Sequence, residues 1–212
     1  LFPDRLVDSE LGEIPEGWPA RPLQEVLTEK NDRVGDADIP EYSSTNDGLQ
    51  LRSERFKKRL SASTSKNKLI HQGDLVFGLS REVLNFGLMR DTVGCVSPAY
   101  RVFAVDKKAI APDLLERMMR IRSSYFYNAI SGSSREGQSI SPQGLGQLRF
   151  VQPSTAAQHA FYCVTESLRI RVNVLESEST TLAALRHTLL PKLIRGEIRV
   201  KDAERLLKER GL

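Results

Sequence analysis

Five apolar residues placed seven apart, Phe161, Leu168, Leu175, Leu182 and Leu189, constrain this chain more than any other feature. A strict seven-residue step keeps one seam along one side of a helix and asks for a partner helix along it. Pro153 ends the preceding strand, and Thr155-Ala156-Ala157-Gln158 reads as a capping box that starts the helix. Lys192 and Arg195 in the last turn, with Gly196 at the left-handed position beyond, read as its end. At about 1.5 Å per residue the rod is on the order of 60 Å long. One small domain cannot bury a seam of that length, so the helix reads as a spacer and docking rail. Val164, Val172, Leu185 and Leu193 extend the seam, while Arg171, Glu178 and Ser179 interrupt its middle. A helix pair with a polar centre is expected, against the plainer alternative of a helix packed on its own domain.

The 212 residues leave room for one medium domain ahead of this helix. A hydrophobic share of 40% supplies a core, and a net charge of +4 permits nucleic-acid binding without demanding it. The apolar runs fall far short of a membrane span and no signal peptide opens the chain, so a cytoplasmic protein with no membrane partner is expected. Cys95 and Cys163 lack metal-ligand spacing and read as reduced, buried residues. The start at Leu1, without methionine, fits an excised piece or the later part of a longer polypeptide.

Along the chain, residues 1–22 read as an extended arm whose Pro15-Glu16-Gly17 turn presents Trp18, an anchor to the domain. Leu23–Thr28 reads as a short helix or strand, and 31–48 as polar and turn-rich. Residues 51–68 are the most basic stretch, with Arg52, Arg55, Lys57, Lys58, Arg59, Lys66 and Lys68. They read either as a solvated face or as a phosphate-contacting surface. His71-Gln72-Gly73-Asp74 is a turn feeding the strand Leu75-Val76-Phe77, and Val93–Val96 and Tyr100–Val105 are further strands. Ser80–Arg90 reads as a loop carrying Arg81, Glu82, Asn85 and Arg90. Pro112 opens an amphipathic helix with Leu114, Leu115, Met118, Ile121, Tyr125 and Ala129 inward, ending near Gly132. Residues 131–138 form a Gly- and Ser-rich loop without the Gly-Lys-Ser/Thr ending of a nucleotide-binding loop. A short helix starts at Pro142, a last strand covers Leu148–Val151, and a charged tail helix covers Asp202–Arg210.

No catalytic constellation emerges. Ser97-Pro98-Ala99-Tyr100 lacks the second proline of an amino-methyltransferase motif, and no glycine-rich adenosylmethionine loop follows a strand. Pro112-Asp113 has no Glu-x-Lys partner of the nuclease type. His71, His159 and His187 are isolated, with no metal or triad spacing.

Several stretches together carry a resemblance. The arm Leu11-Gly12-Glu13-Ile14-Pro15-Glu16-Gly17-Trp18, then Gly73-Asp74-Leu75-Val76-Phe77, then Gly94-Cys95-Val96-Ser97-Pro98-Ala99-Tyr100, resemble the target recognition domain of type I restriction-modification specificity subunits. So do the run from Ser139-Ile140-Ser141 through Pro153 to Gln158 and the ending Leu189-Leu190-Pro191-Lys192-Leu193-Ile194-Arg195-Gly196-Glu197-Ile198-Arg199-Val200. The likeness covers nearly the whole chain, and its weight lies in the order and spacing of the pieces.

The resemblance implies an α/β (α+β) target recognition domain with a mixed or antiparallel β-region over residues 1–152. A long coiled-coil-type spacer helix and tail would follow over 153–212. It implies a non-catalytic component that reads one half of a split double-stranded DNA site. Its helix would dock methyltransferase subunits, which carry the adenosylmethionine, and a restriction subunit would join them; this chain itself would hold no cofactor. Family members have two recognition domains and two helices where this chain has one of each, so the partner along the seam is a second copy or a second recognition domain. Within that reading Lys57, Lys58, Arg59, Lys66 and Lys68 would hold phosphates. Arg81, Asn85, Arg135 and Gln138 would reach base edges, as Arg and Asn do bidentately. The rivals are a protein-interaction adaptor with no sequence-specific DNA binding, and a methyltransferase with a diverged site.

Overall fold

The computed structural model describes residues 3–55, 64–80, 83–126, 130–131, 139–140 and 142–198. In chain order it runs β1 (Leu6–Ser9), β2 (Gly12–Pro15), β3 (Ala20–Pro22), a 3-10 turn (Leu23–Glu25), β4 (Leu27–Lys30), β5 (Glu41–Thr45), β6 (Gly48–Leu51), α1 (Arg52–Arg55) and β7 (Lys68–His71). It continues β8 (Asp74–Ser80), β9 (Val83–Leu88), β10 (Val93–Val96), β11 (Arg101–Val105), α2 (Pro112–Ile121), α3 (Ser123–Phe126), β12 (Ile130–Ser131), β13 (Ser139–Ile140), α4 (Pro142–Gln147), β14 (Arg149–Val151) and α5 (Thr155–Ile194). The expected order of a mixed-sheet domain and then a long helix is the order observed.

Contacts group the chain into Leu1–Phe161 and Tyr162–Leu212. The first two turns of α5 group with the globular unit. Ala157 is buried there, and Phe161 packs against that unit's core.

The globular unit is built on two four-stranded sheets, in orders β4-β11-β8-β9 and β6-β5-β10-β7. The first is antiparallel throughout. The second contains one parallel pair, β10 with β5. Side-chain alternation explains the layering. On β8, Leu75 and Phe77 face a core shared with Leu115 and Met119 of α2, while Val76 faces Ile70, Val96 and Met89 on the other side. On β11, Phe103 and Val105 take the first face and Val102 the second. The first sheet is thus the middle layer, with helix on one side and the second sheet on the other. β14 pairs with β3, which joins the end of the domain to its arm.

Two stretches expected as turns or loop are strands. In 31–48, β5 reads Glu-Tyr-Ser-Ser-Thr, and its hydroxyls hide a buried strand from a hydrophobicity pattern. Ser43 Oγ accepts a bond from Arg52 Nη1 at 2.9 Å, and Thr45 Oγ1 donates to the Gly48 carbonyl at 2.9 Å. In 80–90, β9 pairs with β8 from Val83 to Leu88. Gly87 interrupts the apolar run there for a packing reason. A Cβ on it would lie 2.2 Å from the Leu49 backbone nitrogen, so the bare glycine lets the two sheets approach backbone to backbone.

As the edge of the middle sheet, β9 offers unpaired backbone groups. Glu116 and Arg120 of α2 occupy them. The Glu116 carboxylate accepts the Leu88 N–H at 3.2 Å, and Arg120 donates to the Phe86 carbonyl at 3.2 Å. Glu116 is 3% exposed and is flanked by Arg120 at 2.8 Å and Arg90 at 2.7 Å. Arg120 also lies over the Phe86 ring and reaches the Asn46 carbonyl, tying the β5–β6 turn to the same point.

The helix from Pro112 is shorter than expected. It ends at Ile121, Arg122 turns the chain, and α3 brings Phe126 into the core. Leu114, Leu115 and Met119 face inward as α2 does, but Ile121, expected inward, is 83% exposed because the helix stops there. Ala129, Gly132 and the expected tail helix lie outside the described residues.

The long helix also starts one residue earlier than its expected cap. Ser154 Oγ, not that of Thr155, accepts the Ala157 N–H at 3.3 Å. The Gln158 amide, expected to close the box, donates to the carbonyls of Pro153 and Ala109. Its other end is as expected. Gly196 has φ of 70°, its N–H bonds the Leu193 carbonyl, and the Glu197 N–H bonds that of Lys192. This pair of bonds is the Schellman closure.

Candidate nucleic-acid interface

The basic stretch joins two elements of the second sheet, leaving it after β6 and rejoining it at β7. Lys57, Lys58 and Arg59 lie outside the described residues, as do Arg81, Arg135 and Gln138. Among the described residues, Lys66 is exposed, as a phosphate contact requires. Lys68 is not: it is 4% exposed, on the side of β7 that Ile70 turns toward the core. Burial holds its ammonium below the ordinary value; Glu29 opposes that shift, and Arg101 and Arg33 add to it. Asn85, expected on an open loop, is 5% exposed on β9. Asn85 is enclosed by the sheet.

Arg33 was invisible to sequence reasoning because it stands among Asp32, Asp36 and Asp38. Backbone pairing brings it to the basic stretch. The Val34 N–H bonds the Asn67 carbonyl at 3.1 Å, the Leu69 N–H bonds that of Asp32 at 2.8 Å, and Arg33 bridges Lys68. Arg33 Nη1 donates to the Lys66 carbonyl at 2.6 Å. Arg101 stands nearby on β11, paired with Glu29 at 2.9 Å. Other arginines are spent on architecture. Arg90, expected on the open loop, pairs with Asp113 and Glu116, and Arg149 pairs with Glu10 at 2.7 Å.

The arm is anchored as its sequence implied. Trp18, Leu11 and Ile14 line one side of a cavity of about 210 Å³, opposite Met118, Tyr125 and Phe150. Arg122 donates to the Leu11 carbonyl at 2.6 Å and holds the arm across it. No group of His, Cys, Asp and Glu able to hold a metal occurs among the described residues. Nor is any described helix long and apolar enough to cross a membrane.

In the second unit the seam stands open: Leu168, Leu175 and Leu182 are each more than half exposed. Leu189 is half-buried, and Phe161, the first residue of the series, belongs to the globular core. A second exposed stripe lies roughly a third to half a turn round the rod from the leucines. Cys163, Ile170, Val174, Thr181 and Ala184 recur at steps of seven, four, seven and three, all of them exposed. Cys163, expected buried, is exposed on α5, whereas Cys95 is buried in the second sheet. Burial raises the Cys95 thiol above its ordinary value, against a hydrogen bond from Asn67.

No family model and no curated protein matches the chain. Among solved structures, the HsdS subunit from Thermoanaerobacter tengcongensis matches with a TM-score of 0.52 and 18% identity, over 89% of this chain and 50% of that one. A chain from a structure of complex assembly and conformational transition in a type I R-M system matches at a TM-score of 0.48 and 14% identity, over 93% of this chain and 49% of its own length. At such identities the likeness is one of fold. The present chain has the fold of the HsdS subunit, a sheet-rich domain running into a long helix, and spans about half the length of the chain it matches.

Proposed function

We propose that this chain is a non-catalytic, cytoplasmic DNA-specificity component of a type I restriction-modification system. The globular unit reads one half of a split duplex site. The long helix sets the distance to the other half and docks methyltransferase subunits, which carry the adenosylmethionine, and a restriction subunit. The observation that carries this reading is the HsdS fold joined to a 40-residue helix whose leucine seam is uncovered. An apolar seam of that length is buried against another helix, from a second copy or a second recognition domain. The exposed stripe of Ile170 and Val174, turned away from the leucines, offers a separate face to the methyltransferase subunit.

In this reading Lys57, Lys58, Arg59 and Lys66 hold phosphates, and Arg81, Arg135 and Gln138 reach base edges. Lys68 and Asn85, enclosed in the domain, shape the surface from behind. The test is duplex binding by the full chain together with its methyltransferase subunit, followed across a salt series. Binding that falls steeply with salt supports the reading. An intact complex that retains no duplex at low salt replaces it with the adaptor reading.

A further inference from the structure

The cations that sequence reasoning assigned to phosphates all lie in one stretch, but the fold builds a second source beside it. We infer that Arg33 is a DNA phosphate contact, the forward member of an electropositive rim completed by Lys66 and Arg101. This rests on the duplex-reading function proposed above and identifies which side chains of that site meet the backbone.

Placement comes first. The segment bearing Arg33 is hydrogen-bonded alongside the edge of the second sheet, through Leu69 to Asp32, Val34 to Asn67 and Gly35 to Ser65. Arg33 is therefore presented by fixed backbone at the point where the basic stretch rejoins the sheet. Its side chain is exposed, and its bond to the neutral Lys66 carbonyl leaves guanidinium donors available. Among the described residues neither Arg33 nor Lys66 pairs with a carboxylate, whereas Arg21, Arg90, Arg120 and Arg149 all do.

Charge is the second, separate argument. Arg33, Lys68 and Arg101 lie close enough to act on one another beside Glu29, and Arg33 is bonded to the Lys66 carbonyl. Burial is the main cause that holds the Lys68 ammonium below its ordinary value; Glu29 opposes it, and Arg101 and Arg33 add smaller repulsions. Like charges held together by backbone pairing are relieved by an approaching polyanion, which is the chemistry of a phosphodiester chain. Lys68 is enclosed and cannot touch that chain, but it adds to the field from behind Arg33.

The experiment measures duplex affinity of the full chain against salt concentration for the native protein, Arg33→Ala, Arg33→Lys and Arg117→Ala. Arg117 is an exposed cation on α2 whose removal changes net charge equally. Arg33→Ala is expected to make the log–log salt slope shallower by about 0.9, which is roughly an eightfold loss of affinity near 0.1 M salt. The loss should be alike for all duplex sequences, because phosphates carry no base identity. Arg33→Lys should restore the slope, and Arg117→Ala should leave it unchanged. A native slope kept by Arg33→Ala, or lost equally in Arg117→Ala, overturns the inference and leaves the parent reading standing. A native chain that binds no duplex overturns both.

Discussion

Glu116 is the most informative single residue for the architecture. Its carboxylate accepts the Leu88 N–H at 3.2 Å, Arg120 at 2.8 Å and Arg90 at 2.7 Å, all at the edge of the middle sheet. In Glu116→Ala the Leu88 amide loses its acceptor inside the protein, which costs about 1–3 kcal/mol. Removing one partner of a fully buried ion pair costs about 3–5 kcal/mol. That figure must be discounted here, because the Arg90 and Arg120 side chains are 53% and 33% exposed and regain water. About 3 kcal/mol in all is expected for Glu116→Ala. Glu116→Gln keeps the shape and the oxygen that accepts Leu88 and Arg120, but puts an amide NH2 where Arg90 found an acceptor; with Arg90 exposed enough to turn to water, about 1–2 kcal/mol is expected. Urea unfolding with an unchanged slope gives both values. Hydrogen exchange should show the Leu88 amide losing protection in the alanine variant and keeping it in the glutamine variant. Equal costs for the two variants, or a cost below about 1 kcal/mol for alanine, would refute the claim that this carboxylate seals the sheet edge.

Gly87→Ala should be at least as damaging, about 3 kcal/mol or more, since its Cβ would lie 2.2 Å from the Leu49 nitrogen and backbone cannot step aside; denaturant unfolding checks it. Lys68 has a folded pKa below its ordinary 10.5, so between those two values the unfolded chain binds more protons. Its contribution therefore makes the protein more stable as pH rises through that window, and Lys68→Met should flatten that rise in a series of unfolding curves. Leu175→Glu, a charge placed mid-seam, should weaken helix pairing by about tenfold to a hundredfold in sedimentation, from the loss of roughly 1.5–3 kcal/mol of apolar burial. The urea midpoint of the globular unit should not move.

What could be read in advance follows from how local each signal is. The long helix was legible because Pro153, Gly196 and the leucine series act over a few residues of chain, although the cap itself proved to be Ser154 and not Thr155. The strands β8, β10 and β11 were legible because their buried residues are aliphatic and aromatic. β5 was not, because it is a run of hydroxyl side chains, of which Tyr42, Ser43 and Thr45 find partners inside the fold, and a polar strand looks like a turn from outside. β9 was missed because Gly87, which reads as a breaker, is there to admit the Leu49 backbone. Of the candidate interface, only the continuous basic stretch could be seen. Arg33 joins it through pairing with residues 33 positions away, and nothing in its acidic surroundings announces that. Lys68 and Asn85 have interface chemistry in their side chains, but strand alternation turned them inward, and the phase of a short strand is not fixed by its own residues.

The most direct test of specificity is selection from random duplex DNA by the full chain in complex with its methyltransferase subunit, with the retained DNA sequenced. The account predicts enrichment of a motif in two parts separated by a fixed unread gap. The motif would be symmetric if two copies pair along the seam and asymmetric if a different recognition domain supplies the other half. An intact complex that retains DNA with no enriched motif would contradict it.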